Sequence, residues 1–138
     1  MKDRVEKAVE LFKSGYNCSQ SVVAAFADMY GFTQEQALRM SASFGGGIGR
    51  MRQTCGAACG MFLLAGLEKG AVDGKDREGK AANYALVQQL AEEFRKRNGS
   101  MICAELLGLK KPEGSSTPEA RTEQYYACLL YTSPRPRD

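Results

Sequence analysis

The chain has 138 residues, a formal net charge of +3 and no histidine or tryptophan. Its length suits one domain with a single core, and its 43% apolar and 25% charged residues are typical of a globular protein. The small charge, with basic and acidic residues interspersed, argues against nucleic-acid binding, while the lack of histidine excludes Ser-His and Cys-His nucleophiles and histidine metal ligands.

Helical periodicity accounts for the start of the chain. Residues 3–14 place apolar side chains on one face of an amphipathic helix, which Gly15 ends. Asn17 is the predicted N-cap of the next helix. Thr33 and Gln36 form a capping-box pattern that begins a third. The positions expected to face the core are Val5, Ala8, Val9, Leu11, Phe12, Val22, Val23, Phe26 and Met29.

The second half of the chain predicts further helices separated by polar turns. They cover about 54–69, 76–97 and 101–108, and after a loop Thr117 caps a last helix with Pro118 in its first turn. The inward positions of the long helix are Tyr84, Val87, Leu90, Ala91 and Phe94. No segment shows the alternation of apolar and polar residues that is typical of a strand. The sequence therefore predicts an all-α, single-domain bundle of about six helices.

The sequence shows no targeting or membrane-spanning segment. The N-terminus is charged from its second residue, unlike a secretory signal. The longest apolar run, residues 61–67, is far shorter than the ~20 residues that span a bilayer. We therefore expect a cytoplasmic protein without membrane insertion, where cysteines stay reduced unless they are catalytic, sensing or metal-bound.

The last eleven residues, 128–138, resemble the translation of a sequencing-library adapter and differ from it at Arg135. Such a scar is excluded from fold reasoning. The alternative is a genuine tail rich in proline and arginine. We expect the natural sequence to end at Ala127, so that residues 1–127 form the helical domain. Residues 128–138, including Cys128, would then be non-native.

The stretch FGGGIGRMRQTCGAACG, residues 44–60, raises the question of an anion site. Backbone N–H groups of a glycine-rich turn can bind a small anion. The nucleotide-binding patterns themselves are missing, because no Gly-Lys-Ser/Thr follows and no strand precedes. The alternative is that the glycines allow two helices to pack closely. The residues predicted to hold an anion are Gly46, Gly47, Gly49 and Arg50, with Arg52 nearby.

Three cysteines lie where helices are predicted to begin, namely Cys18, Cys55 and Cys103. Free N–H groups and the helix dipole stabilise a thiolate there and lower its pKa. Arg50 and Arg52 are expected to add to this effect near Cys55. Cys59 follows one turn later and is predicted to be a small core residue, with a share in metal binding as the alternative.

The order of these motifs resembles a known family. YNCSQSV, FGGGIGRM, CGAACG, NGSMICAELLG and PEARTEQYY together resemble the C_GCAxxG_C_C family of bacterial and archaeal redox-active proteins, over nearly the whole chain. The resemblance implies a small helical protein with four redox-active cysteines. It assigns the first three to Cys18, Cys55 and Cys103 and places Cys59 at a variable position. The fourth is expected within a few residues after Tyr126. Cys128 stands near there but belongs to the suspected adapter, so we expect this chain to have lost its authentic fourth cysteine.

Three functions follow as hypotheses. The first is a redox protein with thiol–disulfide oxidoreductase-like activity or electron transfer, serving a partner protein or a small thiol or oxidant, in which Cys55 attacks and Cys18 or Cys103 resolves the mixed disulfide. The second uses Cys18, Cys55 and Cys103 as ligands for zinc or an iron–sulfur cluster. The third is a helical interaction module with inert cysteines.

Overall fold

The structure, a computed structural model, describes residues 2–108, and within them it is all helical, as predicted. Six α-helices follow one another: α1 (Lys2–Lys13), α2 (Cys18–Phe26), α3 (Gln34–Ser41), α4 (Gly56–Lys69), α5 (Arg77–Asn98) and α6 (Cys103–Leu106). Short 3-10 turns, Ala27–Tyr30 and Ala42–Phe44, continue α2 and α3. The predicted helix at Thr117 and the predicted non-native tail 128–138 lie outside the described residues.

Helix α2 lies at the centre of the described bundle, where it packs against α1, α3 and α4, and α4 packs in turn against α5. Its sequence CSQSVVAAF is apolar or small on every side, so most of its residues are buried. Val22, Val23 and Phe26 are buried as predicted, but Met29 is 55% exposed. Met29 lies on the 3-10 turn, whose tighter period rotates it away from the helical stripe.

Two capping boxes fix where α2 and α3 begin. The box of Thr33 was predicted, whereas Asn17 was predicted only as an N-cap. The side chain of Asn17 accepts the N–H of Gln20 at 2.9 Å, while the Gln20 side chain accepts the N–H of Asn17 at 3.1 Å. Thr33 and Gln36 make the same reciprocal pair at 3.1 and 2.9 Å. Each box satisfies N–H groups that have no partner within the helix.

The long helix α5 is buried only towards its C-terminal end, at Ala91 and Phe94. Tyr84 was predicted to face inward but is 59% exposed. Tyr84 lies two helical turns before Ala91, on the same face of α5. Because α5 has 22 residues and α4 has 14, α4 cannot cover that face along its whole length.

Within the described part of the chain, no helix is long and apolar enough to cross a membrane.

Candidate functional site

The loop between α3 and α4 runs through left-handed backbone. Five consecutive residues, 46–50, have φ between 57° and 76°, and Arg52 has a φ of 61°. Glycine adopts this region freely, but for other L-residues it costs roughly 1–2 kcal/mol each. Ile48, Arg50 and Arg52 therefore hold strained conformations, which persist only where the surrounding contacts determine them.

Backbone amides of this loop are used within it. The N–H of Gly49 donates to the carbonyl of Ser43 at 2.7 Å, and the N–H of Arg50 donates to that of Gly45 at 3.1 Å. The amides of Gly49 and Arg50 close the turn upon itself and are not held out towards a ligand. The anion site over Gly46, Gly47, Gly49 and Arg50 stays a prediction.

The loop fits against the first residues of α2 and α6 because its glycines carry no side chain. A Cβ at Gly47 would lie 2.6 Å from the Cβ of Cys103 and 2.7 Å from the Cα of Arg52. A Cβ at Gly45 would overlap the side chain of Asn17. The alternative that glycines permit close packing is thus supported, although here the loop packs against helix starts.

A short backbone pairing joins the start of α4 to the start of α6. Thr54 and Ile102 form an isolated antiparallel bridge. Beside it, the N–H of Cys55 donates to the carbonyl of Met101 at 2.7 Å, and the N–H of Cys103 donates to that of residue 53 at 2.6 Å. Side chains alternate across such a pair. Cys55 and Cys103 therefore lie diagonally on one face of it. Sequence analysis missed this pairing because one bridge is too short for a period-two pattern.

The side chain of Arg52 contacts Cys103. Its side chain is buried, at 3% exposed, and Nη1 donates to the sulfur of Cys103 at 3.5 Å. Its carbonyl accepts the N–H of Ala104 at 3.2 Å, which ties the loop to α6. The expectation that Arg52 supports a thiolate at Cys55 stays a prediction, since the described contact of Arg52 is with Cys103. The charged hydrogen-bond donor of this site therefore contacts the sulfur of Cys103.

Cys55 is the N-cap of α4 and is 4% exposed. Burial raises the pKa of its thiol to about 11, and the nearby sulfurs of Cys103 and Cys59 act in the same direction. The N–H groups of Ala58 and Ala57 lower that pKa, but by less than burial raises it. The predicted lowered pKa is therefore wrong, because this helix start lies in the core, where loss of solvation outweighs the helix dipole.

The two remaining cysteines of the described chain are half-buried. Cys18 is the first residue of α2 and packs against the core cluster that contains Cys55. Cys59 lies one turn into α4, and its sulfur donates to the carbonyl of Thr54 at 3.9 Å. Burial raises the pKa of Cys59. Its prediction as a core residue is thus met only in part, because part of its surface stays exposed.

Metal binding was the alternative for Cys18, Cys55 and Cys103. Among residues 2–108, no group of three or more Cys, Asp or Glu side chains is arranged to hold a metal ion. Cys128, near which the fourth family cysteine is expected, lies outside the described residues. The metal alternative therefore remains a prediction without support from this part of the chain.

A comparison with protein families supports the sequence resemblance. The family model described as "Putative redox-active protein (C_GCAxxG_C_C)" matches residues 16–133, well over half of the chain. The match spans the capping box of α2, the left-handed loop and the paired starts of α4 and α6. Searches of curated proteins and of solved structures gave no match.

Proposed function

This chain belongs to the C_GCAxxG_C_C family of redox-active proteins, and from that premise we propose that it performs thiol–disulfide chemistry with Cys103 as its attacking thiolate. The observation that carries the proposal is the buried contact from Arg52 to the sulfur of Cys103, at 3.5 Å. The thiolate is the nucleophilic form of cysteine, and Arg52 places a positively charged hydrogen-bond donor against this sulfur. Cys55 bears a thiol of raised pKa and suits the resolving role.

The proposed reaction takes two electrons from two thiols. The Cys103 thiolate attacks a hydroperoxide, which leaves a sulfenic acid on Cys103 and releases an alcohol or water. The Cys55 thiol then attacks that sulfur, which forms a disulfide and releases water. In sum, two thiols and one hydroperoxide give one disulfide, one water and one alcohol or a second water. A thiol reductant restores the pair by exchange.

Burial limits what can reach these sulfurs. Cys103 is 7% exposed and Cys55 is 4% exposed. A small oxidant fits this restriction better than a folded protein disulfide does, because the latter would need the loop and α6 to move apart. A dithiol that works by reversible oxidation also suits a reducing compartment, which agrees with the cytoplasmic location predicted from the sequence.

The test is mass spectrometry of the full chain, purified without oxygen and treated with one equivalent of hydrogen peroxide. We expect the intact mass to fall by two hydrogen atoms and to recover with a thiol reductant. Cys103→Ser should lose the rapid phase of this oxidation. An unchanged mass after peroxide would refute the proposal. A native mass that contains zinc or an iron–sulfur cluster would favour the metal alternative instead.

A further inference from the structure

We propose that Cys59 is a third working thiol of this site, which takes the disulfide over from Cys103 and brings it to the protein surface as a Cys55–Cys59 bond. This inference rests on the proposed function, because a Cys55–Cys103 disulfide is its starting state. Cys59 occupies a variable position of the family motif, so the resemblance assigns it no role.

The first argument is access. Cys55 and Cys103 are buried, whereas Cys59 is only half-buried. A disulfide between the two buried cysteines would be reached only slowly by an external thiol, glutathione included, because both residues are buried. A disulfide that includes Cys59 presents one sulfur at the surface, where an external thiol can attack it.

The second argument is the placing of the sulfur. The N–H of Cys59 donates to the carbonyl of Cys55 at 2.9 Å, so the two residues stand one helical turn apart. Side chains on a helix lean towards its N-terminus. In agreement, the Cys59 sulfur reaches the carbonyl of Thr54 at 3.9 Å, directly beside Cys55. The Cys59 and Cys103 sulfurs both lie near enough to Cys55 to raise the pKa of its thiol.

The third argument is the freedom of the backbone at Cys55. Cys55 is the N-cap of α4, with a ψ of 134° that is not helical, so the helix does not lock its conformation. A disulfide brings two Cβ atoms to about 3.5–4.5 Å. The approach of Cys55 to Cys59 therefore needs movement only at the start of α4, where helix ends fray.

The exchange step balances without any outside reagent. Cys59 gives up its proton to water, and its sulfur attacks the sulfur of Cys55. The Cys55–Cys59 bond forms while the Cys55–Cys103 bond breaks, and the electron pair leaves on Cys103. The guanidinium of Arg52 receives that leaving thiolate, because it already contacts the Cys103 sulfur. No net oxidation occurs, since one disulfide replaces another.

Disulfide mapping tests this relay in the full chain carrying Cys128→Ser, which removes the tail cysteine. The protein is reduced, oxidised with one equivalent of hydrogen peroxide, quenched in acid, alkylated and digested for mass spectrometry. We expect a Cys55–Cys59 link as the main product. The near-isosteric Cys59→Ser should instead accumulate the Cys55–Cys103 link and be reduced at least tenfold more slowly by glutathione.

The outcomes separate the relay from the function on which it rests. A Cys55–Cys103 link with Cys59 still open to alkylation would overturn the relay and leave the proposed function standing. A link from Cys59 to Cys18 would also overturn the relay. If the Cys55–Cys59 link forms at the same rate in the Cys103→Ser variant as in the protein that keeps Cys103, the role of Cys103 as the attacking thiolate is contradicted. Failure to form any disulfide would overturn both proposals.

Discussion

Arg52 and Cys103 form a buried pair in which the guanidinium Nη1 donates to the sulfur at 3.5 Å. Arg52 reaches this position only because its backbone is left-handed, with a φ of 61°, and because Gly47 leaves room for the Cys103 side chain. The strained loop thus positions a cation beside a thiol. Strain of this kind concentrates at functional sites.

Removing the charge of Arg52 should slow the reactions of Cys103. For Arg52→Gln we expect about a tenfold lower rate of alkylation of Cys103, since a hydrogen bond to a charged group contributes about 1.5–3 kcal/mol. Arg52→Lys should recover part of the rate because it keeps the charge. Both substitutes keep a Cβ, so they share the cost of the left-handed backbone. The rate is followed by a timed pulse of iodoacetamide and peptide mass spectrometry.

Arg50→Gln is the matched control for this experiment. Arg50 lies two residues away with a φ of 64°, so its replacement removes the same charge from the same kind of backbone. We expect it to change the alkylation of Cys103 by less than twofold. Equal slowing by both variants would show that general loop stability or net charge governs the reaction, and the assigned role of Arg52 would be lost.

The stability of the fold should fall at alkaline pH through Cys55. Burial raises its pKa from the reference value of 9.0 to about 11. Below pH 9 both folded and unfolded chains carry the proton, so the contribution to stability is complete. Between pH 9 and about 11 the unfolded chain loses this proton first, and the fold is destabilised.

The size of this effect is about 2–3 kcal/mol, at about 1.4 kcal/mol per pKa unit. It is measured as the difference in free energy of unfolding by urea between the wild type and Cys55→Ser, at several values from pH 8 to 11. The difference removes the contributions of the other groups that titrate in this range, such as Cys59 and Tyr30. If the wild type and Cys55→Ser lose unfolding free energy equally as the pH rises from 8 to 11, the raised pKa of the Cys55 thiol is contradicted.

Replacing Gly47 should disrupt the site, whereas replacing Gly49 should not. At Gly47 a Cβ meets Cys103 at 2.6 Å, and at Gly49 the nearest atom, the Ser43 carbonyl oxygen, is 4.0 Å away. Gly47→Ala should therefore cost about 3 kcal/mol in unfolding free energy, from overpacking and the left-handed backbone together. Gly49→Ala should cost about 1 kcal/mol from the backbone alone. Urea unfolding measures both, and equal losses would contradict the close fit of the loop against α6.

The sequence was sufficient to predict the elements but not the contacts between them. Asn17, predicted as an N-cap, and Thr33, predicted from a capping box, both begin helices as expected, because capping depends on residues close together in the sequence. Tyr84 was predicted to be buried but is exposed, because helical periodicity tells which face is apolar and not how far the packing helix extends. Met29 was misplaced because the periodicity did not reveal the change from α-helix to 3-10 turn.

The candidate site shows the same division. That cysteines stand at helix starts was visible from the sequence, as the placing of Cys18 and Cys103 confirms. The sequence did not reveal whether a helix start is exposed to solvent or buried. At Cys55 the helix start is buried, and burial raises the pKa that was expected to be lowered. The assignment of Arg52 to Cys103 depends on a pairing across 48 residues, Thr54 with Ile102. Such a single bridge leaves no periodic signal.

The two capping boxes should differ in their contribution to stability, because only one also joins separate elements. Besides its box with Gln20, Asn17 donates from Nδ2 to the carbonyl of Ala42 at 3.0 Å. Thr33→Ala should cost about 1 kcal/mol in unfolding free energy, the usual value of an N-cap. Asn17→Ala should cost about 2 kcal/mol, since it also removes the hydrogen bond to Ala42. Urea unfolding of both variants tests this, and a Thr33 variant as unstable as the Asn17 variant would show that the bond to Ala42 contributes nothing to holding α2 against the loop.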